Sequence, residues 1–406
     1  MRIVMAHKEY SIRSGASRHV FELTSLLESA GHEVIPFSVI DEKNITSPYD
    51  KYFVSAADFS TPRLSLSLFF KNFGRMLWSR EAAVKMDRLI TETKPDLVHI
   101  HNIYHQISPS ILPVIKKTGI PIVQTLHDYK LMCPNYLMRA QNHICEKCRY
   151  RRYWQPFFQR CVKDSRIASA MVGWETAWHK MLGVYEKNVD VFIAPSNFLQ
   201  NKLREWRIKA RRVEYLPNFY PRSVSPDTTS GKYMLYGLAR LAPEKGLWTL
   251  LRAARDLRTI PFKIWGEGPL RLRLEEFVQQ ERLKNIDFLG DPKTPEAKNI
   301  IREAYAVIVP SECYENNSYA VLEAMAYGKP FIASDIGGNL EQAGQNERGL
   351  MFRMGDVVDL RRRISELWGD QTLARRLGAA GQRYVSQNLS AGGYLEKIDS
   401  IYKSVL

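Results

Sequence analysis

The chain has 406 residues, of which 45% are hydrophobic and 25% are charged, and its formal net charge is +15. This composition excludes a fibrous or mainly disordered protein, and the length predicts one very large domain or two ordinary ones. Five cysteines are too few for a disulfide-based scaffold in a chain of this length.

The N-terminus opens on a strand-like run at Arg2–Ala6, not on the basic and then apolar segments of a signal peptide. No stretch reaches the ~18 uncharged apolar residues that a membrane span needs. We therefore expect the protein to be cytoplasmic.

The first half alternates short β-branched runs with helix-like periodicity. Strands are predicted at Arg2–Ala6, Glu33–Phe37, Leu97–Ile100, Ile122–Leu126 and Val191–Ala194, and helices at Ala16–Ser29 and Arg80–Glu92. This alternation is typical of an α/β protein, in which helices cover both faces of a mostly parallel sheet.

The second half repeats the alternation after a segment rich in Pro, Ser and Thr. Strands are predicted at Tyr233–Gly237, Phe262–Trp265, Ile286–Leu289, Ala306–Val309 and Phe331–Ser334, and helices at Leu247–Leu257, Glu296–Tyr305 and Tyr319–Tyr327. We divide the chain into a first domain at residues 1–218, a linker at 219–232 and a second domain at 233–406. Two facing doubly wound sheets predict a ligand site in the cleft between them, beyond the carboxyl ends of the strands.

Two segments of the first half break this alternation and are basic. Residues 50–80 mix aromatic with basic side chains, residues 130–186 form an insertion, and residues 1–220 carry +12 of the net charge. The stretches 50–80 and 149–186 have two interpretations. One is a patch that binds an anionic membrane, with aromatic rings in the interface and cations on lipid head groups; the other is a solvated basic face over ordinary core aromatics.

The insertion also contains four of the five cysteines, Cys133, Cys145, Cys148 and Cys161. Four thiolates that include one C-x2-C pair could hold a tetrahedral structural zinc ion. Because the remaining two are not a second C-x2-C pair, four ordinary reduced thiols are the alternative.

The segment Val309–Pro330 carries the most chemical information. A strand is followed by a polar loop with Glu315 and then by a helix whose second turn contains Glu323. Backbone N–H groups at a helix start donate to phosphate or sugar oxygens, and carboxylates accept from vicinal hydroxyls. Because Glu323 stands in an otherwise apolar helix, we interpret both acids as ligand-binding residues and not as solvated surface acids.

The spacing of Glu315 and Glu323, and the Ala-Met-Ala-x-Gly-Lys-Pro sequence after them, resemble the E-x7-E motif of retaining glycosyltransferase family 4. The resemblance covers nearly the whole chain. It implies the GT-B fold, in which two Rossmann-like doubly wound parallel-sheet domains face each other across a cleft. It also implies transfer of a sugar from a nucleotide-diphosphate donor to a glycan or lipid-linked acceptor, in cell-surface polysaccharide or glycolipid synthesis.

Loops of the second half extend the resemblance. Gly237–Gly246 resembles the family's G-R-L-x-x-E-K-G loop, which implies that Arg240 and Lys245 bind the donor diphosphate and neutralise its developing charge. The chain departs from the family at Ala239, where Gly is usual. Gly266 lies in a turn that resembles the G-x-G-P turn beside the nucleotide base, and Gly338 in a Gly-Gly turn.

Loops of the first half resemble the family as well. Gly15 lies where the family has a glycine-rich loop, and Thr125–Asp128 resembles its T-x-H-D segment, so His127 is expected at the donor sugar or the reacting centre. His99 and His101 follow the neighbouring strand, and we interpret one of them as buried support. The catalytic residues implied are Glu315, His127, Arg240 and Lys245. The implied donor-binding residues are Gly15, Gly237, Gly266, Asn316, Asn317, Ser318, Tyr319, Ala320, Val321 and Glu323.

No Asp-x-Asp sequence is present to hold a metal ion on the diphosphate, so we expect no catalytic metal and no required cofactor. The expected partners are the nucleotide sugar, the acceptor and an anionic membrane surface at the inner face of the plasma membrane. A GT-B-fold sugar phosphorylase or a nucleotide-sugar epimerase is the alternative among enzymes. A nucleic-acid-binding protein is the alternative of another class, but only the charge suggests it, no nucleic-acid-binding motif accompanies it, and we expect no nucleic acid.

Overall fold

A computed structural model describes residues 1–57, 66–222, 224, 231–237, 239–290 and 297–406, and for residues 66–70, 297 and 298 it describes the backbone only. Much of the predicted linker and part of the aromatic-basic stretch 50–80 lie outside the described residues. Among the described residues, no helix is both long enough and apolar enough to cross a membrane.

The first half forms a six-stranded parallel sheet and its covering helices. The strands in chain order are β1 (Arg2–Ala6), β2 (Glu33–Phe37), β3 (Leu97–Ile100), β4 (Ile122–Thr125), β5 (Arg139–Ala140), β6 (His143–Ile144), β7 (Val191–Ala194) and β8 (Val213–Tyr215). The helices are α1 (Gly15–Ser29), α2 (Leu66–Leu77), α3 (Arg80–Thr93), α4 (Ile111–Lys117), α5 (Gln155–Gln159), α6 (Arg166–Leu182), α7 (Val184–Asn188) and α8 (Asn197–Glu205). The sheet order is β2-β1-β3-β4-β7-β8, and β5 and β6 pair separately as an antiparallel hairpin in the insertion.

The second half forms another six-stranded parallel sheet, in the order β11-β10-β9-β12-β13-β14. Its strands are β9 (Tyr233–Tyr236), β10 (Phe262–Ile264), β11 (Ile286–Phe288), β12 (Ala304–Val309), β13 (Phe331–Ser334) and β14 (Leu350–Phe352). Its helices are α9 (Leu247–Arg255), α10 (Arg271–Gln280), α11 (Ala297–Glu303), α12 (Tyr319–Ala326), α13 (Asn339–Ala343), α14 (Val357–Gly369) and α15 (Gln371–Asn388), and α16 (Ala391–Lys403) ends the chain. Counted from β9, this is the Rossmann strand order. The predicted fold class, two doubly wound α/β units, is confirmed.

Apolar strands buried on both faces explain why the sheets are parallel and covered. Every residue of β3, β4, β7, β9 and β13 is buried. Separate apolar clusters fill the two faces of each sheet. Continuous apolar runs of this kind need helices on both sides, which short βαβ connections supply.

Two elements differ from the sequence-based division. Ala304 and Tyr305 were predicted to end a helix, but they open β12, where Ala304 pairs with Tyr233 of β9. The last helix, α16, was assigned with residues 233–406 to the second domain. It packs instead on the first sheet, where Ile398 and Tyr402 lie in one apolar cluster with Ile3 of β1. Helical periodicity identifies an apolar face but not the core that covers it.

Candidate active site

The predicted site residues converge because they follow the carboxyl ends of strands in both sheets. Loops after β9, β10 and β12 belong to the second sheet, and loops after β1 and β4 to the first. Asn316 joins the two sides: its amide nitrogen donates to the Leu126 carbonyl (2.8 Å), and its oxygen accepts from Ser196 (2.6 Å). The loops therefore enclose an interdomain cleft, as expected for doubly wound sheets.

Glu315 and Lys245 form an ion pair within the second sheet unit. The Lys245 Nζ lies 2.6 Å from Glu315 Oε1, which also accepts a hydrogen bond from Ser311. Burial alone would raise the pKa of Glu315, but the Lys245 charge and these hydrogen bonds hold it below the ordinary value. Glu315 is therefore ionised, and Lys245 is held as a cation beside it.

Glycines allow the chain to fold tightly around Glu315. A Cβ on Gly337, whose φ is +62°, would lie 2.3 Å from the Glu315 carbonyl oxygen, and one on Gly338 would lie 1.8 Å from that of Asn316. The Gly338 N–H donates to the Glu315 carbonyl at 2.7 Å. Larger residues would push this loop toward the cleft, which explains the Gly-Gly turn.

Glu323 is paired with a cation from the opposite side of the cleft. Its Oε1 lies 2.7 Å from Nη1 of Arg18 in α1, and its Oε2 is buried without a hydrogen-bond partner. Burial raises the pKa of Glu323, and the Arg18 charge opposes only part of that rise. An unsatisfied buried carboxylate oxygen is costly and is suited to accept a ligand hydroxyl.

The loop after β9 presents its predicted cation to solvent. Arg240 is exposed, and its charge opposes part of the rise in pKa that burial gives Tyr136 of the first unit. Gly237 is buried at the strand end. A Cβ on Gly266 would lie 2.3 Å from the Ala239 carbonyl oxygen, so the loops after β9 and β10 are in close contact.

The residues around the start of α12 divide into two groups. The side chains of Ala320 and Val321 are buried in the apolar core, so only their backbone can reach a ligand.

Tyr319, Asn317 and Ser318 make polar contacts, and two of these cross the cleft. The Tyr319 hydroxyl lies 3.0 Å from His19 Nδ1, the Asn317 carbonyl accepts from Asn218 (3.2 Å), and Ser318 bonds Gln342. Gly15 also touches this helix, since a Cβ there would lie 3.3 Å from the Tyr319 ring.

His127 belongs to a cluster of histidines at the carboxyl edge of the first sheet. Its Nε2 shares a 2.8 Å hydrogen bond with His101 Nδ1, and the two rings stack at 5.1 Å. Burial and the neighbouring histidines place the pKa of His127 well below its ordinary value, so the ring is neutral near pH 7. Both His99 and His101 are fully buried, whereas the sequence led us to interpret only one as support.

Sequence reasoning missed three polar residues of this cleft: Arg18, His19 and Asp128. Arg18 and His19 follow the Gly15 loop, and the first turns of a helix after a strand's carboxyl end necessarily reach the cleft. Asp128 accepts hydrogen bonds from Tyr104 and Asn102, and burial raises its pKa to about 6. All three residues lie next to motifs that the sequence analysis had already singled out, and this position could have indicated them.

The cysteines of the insertion are all free thiols. The Cys133 thiol donates to Asn135 Oδ1 at 2.9 Å. In the described part of the chain, no three His, Cys, Asp or Glu side chains are grouped closely enough to hold a metal ion. A structural zinc ion at the four cysteines stays a prediction, with four reduced thiols as its alternative.

The site combines a neutral histidine, two acids and several cations around one cleft. Ionised Glu315 and the unpartnered oxygen of buried Glu323 can accept hydroxyl hydrogen bonds, while Arg18, Arg240 and Lys245 can bind phosphoryl oxygens. This arrangement fits a ligand that carries both a polyhydroxyl part and an anionic part.

Family models match both halves of the chain. One described as "Glycosyltransferase Family 4" matches residues 13–223, and one described as "Glycosyl transferases group 1" matches residues 224–384. Together they cover residues 13–384, which include every strand of the two sheets except β1.

Curated relatives are glycosyltransferases of moderate similarity. Glycogen synthase from Mycobacterium tuberculosis is 26% identical, over 95% of this chain and 91% of its own length. A lipopolysaccharide core biosynthesis glycosyltransferase from Rhizobium meliloti is 26% identical, over 53% of this chain and 65% of its own length. For two further relatives, the segment that matches this chain covers only 55% and 39% of the relative's own length.

Solved structures share the whole architecture. Sucrose-phosphate synthase from Thermosynechococcus elongatus superposes with a TM-score of 0.73 and 18% identity, over 100% of this chain and 98% of that one. HepE from Anabaena in complex with UDP-glucose gives 0.69 and 14%, over 100% of each chain. At these identities the likeness concerns the fold.

Proposed function

The chain belongs to glycosyltransferase family 4, and from that premise we propose that it transfers a sugar from a nucleotide-diphosphate donor to a glycan or lipid-linked acceptor with retention of configuration. One observation carries the proposal. Glu315 and Glu323 lie on one strand–loop–helix unit at the cleft, and each is held by a cation, Lys245 or Arg18.

The second sheet unit binds the donor. Glu323 accepts from hydroxyls of the nucleotide sugar, and Arg240 and Lys245 bind the diphosphate, with α12 directing its N-terminal amides toward it. The structure of HepE with UDP-glucose supports a donor of this class in a protein of the same fold.

Transfer with retention places the acceptor hydroxyl on the face of the sugar from which the diphosphate leaves. The acceptor oxygen bonds to the anomeric carbon, the bond from that carbon to the diphosphate oxygen breaks, and the hydroxyl proton passes to the leaving phosphate. Arg240 and Lys245 neutralise the charge that develops. His127, which is neutral, orients hydroxyls of the reacting sugar, and no protein nucleophile is required.

The reaction proceeds without a metal ion or other cofactor, because cations of the chain neutralise the diphosphate. Turnover is expected to continue in EDTA. The metal content of the protein is measured in parallel, so that loss of a zinc ion from the four cysteines is recognised. Activity that EDTA abolishes and Mg²⁺ or Mn²⁺ restores would contradict this mechanism.

The first sheet unit binds the acceptor and faces an anionic membrane surface on the cytoplasmic side. Its excess of positive charge supports this. The similarity to a lipopolysaccharide core biosynthesis glycosyltransferase supports an acceptor in cell-surface polysaccharide or glycolipid synthesis.

The proposal is tested by replacing residues that touch the donor. Glu323→Ala and Arg240→Ala should each reduce transfer by about 10²–10³-fold without loss of the fold. Glu347→Ala, whose side chain is 76% exposed, is the matched control. Near-normal turnover in either site variant would refute the site. Product formed without acceptor, or only with inorganic phosphate, would indicate an epimerase or a phosphorylase.

A further inference from the structure

Helix α6 of the insertion is amphipathic in the opposite sense to a normal surface helix. Its buried residues are mainly small or polar: Ser169, Val172, Gly173, Glu175, Thr176 and His179. Its large apolar residues point outward, since Ile167, Trp174, Trp178 and Met181 are all exposed, Trp174 to 61% and Met181 to 66%. A helix of a water-soluble domain places its apolar stripe on the core, so this face lacks its partner.

The exposed residues form one continuous stripe. At about 100° per residue, positions 167, 174, 178 and 181 fall within ~60° of arc along four turns. We call these four side chains the outer stripe. The inner face of α6 is fixed by contacts, because Glu175 pairs with Lys130 at 2.6 Å and His179 bonds the Leu77 carbonyl at 2.9 Å. The helix therefore cannot rotate to bury the stripe.

Neighbouring elements extend the apolar surface. Helix α5 packs against α6 at Gly173, where a Cβ would lie 3.4 Å from the Pro156 ring of α5. Around α5, Trp154 is 60% exposed and Phe158 is 63% exposed. Aromatic rings thus stand beside the outer stripe.

Positive charge accompanies this surface. Arg151, Arg152, Arg160 and Arg166 are exposed, and no carboxylate of the described residues forms an ion pair with any of them. The Arg166 guanidinium lies 5.6 Å from the centre of the Phe157 ring, so this cation stands next to an aromatic ring on the same surface. Exposed Trp side chains flanked by unpaired Arg match the chemistry of an anionic lipid interface, which is apolar below and negatively charged above.

We infer that the outer stripe of α6 inserts into the interfacial region of an anionic bilayer, with the four arginines on the lipid head groups. This membrane contact rests on the proposed function, in which the first sheet unit binds the acceptor and faces a membrane. It adds the side chains through which that unit would bind the bilayer. It goes further than attraction by charge, because it requires apolar insertion at named side chains. The inserted helix lies in the plane of the membrane and does not cross it.

Sedimentation with lipid vesicles tests the inference on the full chain. Wild-type protein should bind vesicles of equal parts phosphatidylcholine and phosphatidylglycerol, and phosphatidylcholine alone more weakly. Trp174→Gln with Trp178→Gln should weaken binding at least about tenfold. Arg151→Gln and Arg152→Gln should each weaken it about fivefold, and less at high salt. Ile167→Gln with Met181→Gln gives a second, independent test of the stripe.

Leu272→Gln is the matched control, because Leu272 is 74% exposed on α10 of the second sheet unit. It should bind vesicles like wild type. Donor binding, measured by thermal shift without vesicles, should be the same in all of these variants, which separates this inference from the proposed function. The inference is refuted if both stripe variants bind like wild type. It is equally refuted if wild type binds neither kind of vesicle. If the stripe variants then dissociate a dimer, the stripe joins two copies of the chain.

Discussion

At the scale of residues, the cleft stabilises two carboxylates by giving each a cation. Lys245 is the partner of Glu315, and Arg18 is the partner of Glu323. A buried acid that loses its cation is strongly destabilising, whereas removal of both charges together is often nearly neutral. Lys245 is also proposed to bind the donor diphosphate, so both stability and catalysis depend on it.

A double-mutant cycle at Lys245 and Glu315 separates these two dependences. Lys245→Met should lower the free energy of unfolding, by at most about 3–5 kcal/mol, because it leaves the largely buried Glu315 without its cation. Adding Glu315→Gln should recover most of that loss, while transfer stays reduced about 10²–10³-fold in both variants. Urea unfolding and initial rates on the same samples measure both effects. Recovery of activity along with stability would show that the pair is structural only.

The buried histidines predict how stability depends on pH. Burial lowers the pKa of His19 and of His99 to about 3 in the folded chain, against an ordinary value of 6.5. Below pH 6.5 the unfolded chain therefore binds more protons, and the free energy of unfolding decreases as pH falls. Each such histidine contributes about 1.4 kcal/mol per pH unit below that value.

Unfolding between pH 7.5 and 5.5 measures this dependence, in a range above the titration of Glu175, whose pKa is lowered to about 2. Asp128, whose pKa is raised to about 6, acts in the opposite direction here, so the comparison is made between wild type and a histidine variant that share it. His99→Gln should reduce the pH slope by about half a proton averaged over this range, and by nearly one proton at its acid end. His143→Gln, at an exposed position, is the control. An unaltered slope in His99→Gln would mean that His99 is not held neutral by the fold.

At the scale of elements, α16 joins the end of the chain to the first sheet. Tyr402 shares a 2.7 Å hydrogen bond with His99 of β3, and Ile398 lies in the cluster with Ile3 of β1. The first sheet is therefore completed by the last helix, and its stability depends on the C-terminus.

Ile398→Ala should destabilise the first sheet unit by about 2–5 kcal/mol, because it opens a cavity at a fully buried site. Hydrogen exchange should then accelerate in β1 and β3 and much less in β9 and β12. Leu340→Ala, at an exposed position of α13, is the control. Equal acceleration in both sheets would show that α16 does not stabilise the first sheet specifically.

Local sequence signals predicted most of the central strands, because buried parallel strands are short, β-branched runs that need no distant information. They could not predict α16, since the covering core is set by the path of the whole chain. The same limit applied to the site. Motifs after strands predicted Glu315, Lys245 and His127 as site residues, whereas Arg18 was found only when folding brought α1 within 2.7 Å of Glu323.

At the scale of the molecule, the two sheet units have different proposed functions and different surface charge. The second unit carries the acids and cations proposed to hold the donor, and the first carries +12 of the charge within residues 1–220 and the outer stripe. Contacts such as Arg18 to Glu323 and His19 to Tyr319 cross the cleft between them. The proposed donor site at Glu323 is thereby in contact with the unit proposed to bind the acceptor.

The central claim is that the cleft binds a nucleotide-diphosphate sugar through Glu323 and Arg240. A thermal-shift panel of nucleotide sugars on wild type, Glu323→Ala, Arg240→Ala and Glu347→Ala tests it most directly. A donor at ~100 times its Kd should add about 2.7 kcal/mol to the free energy of unfolding. We predict a higher Tm with at least one nucleotide sugar in wild type and in Glu347→Ala, and little or none in the two site variants. No shift with any nucleotide sugar in wild type, or an equal shift in all four proteins, would contradict the account.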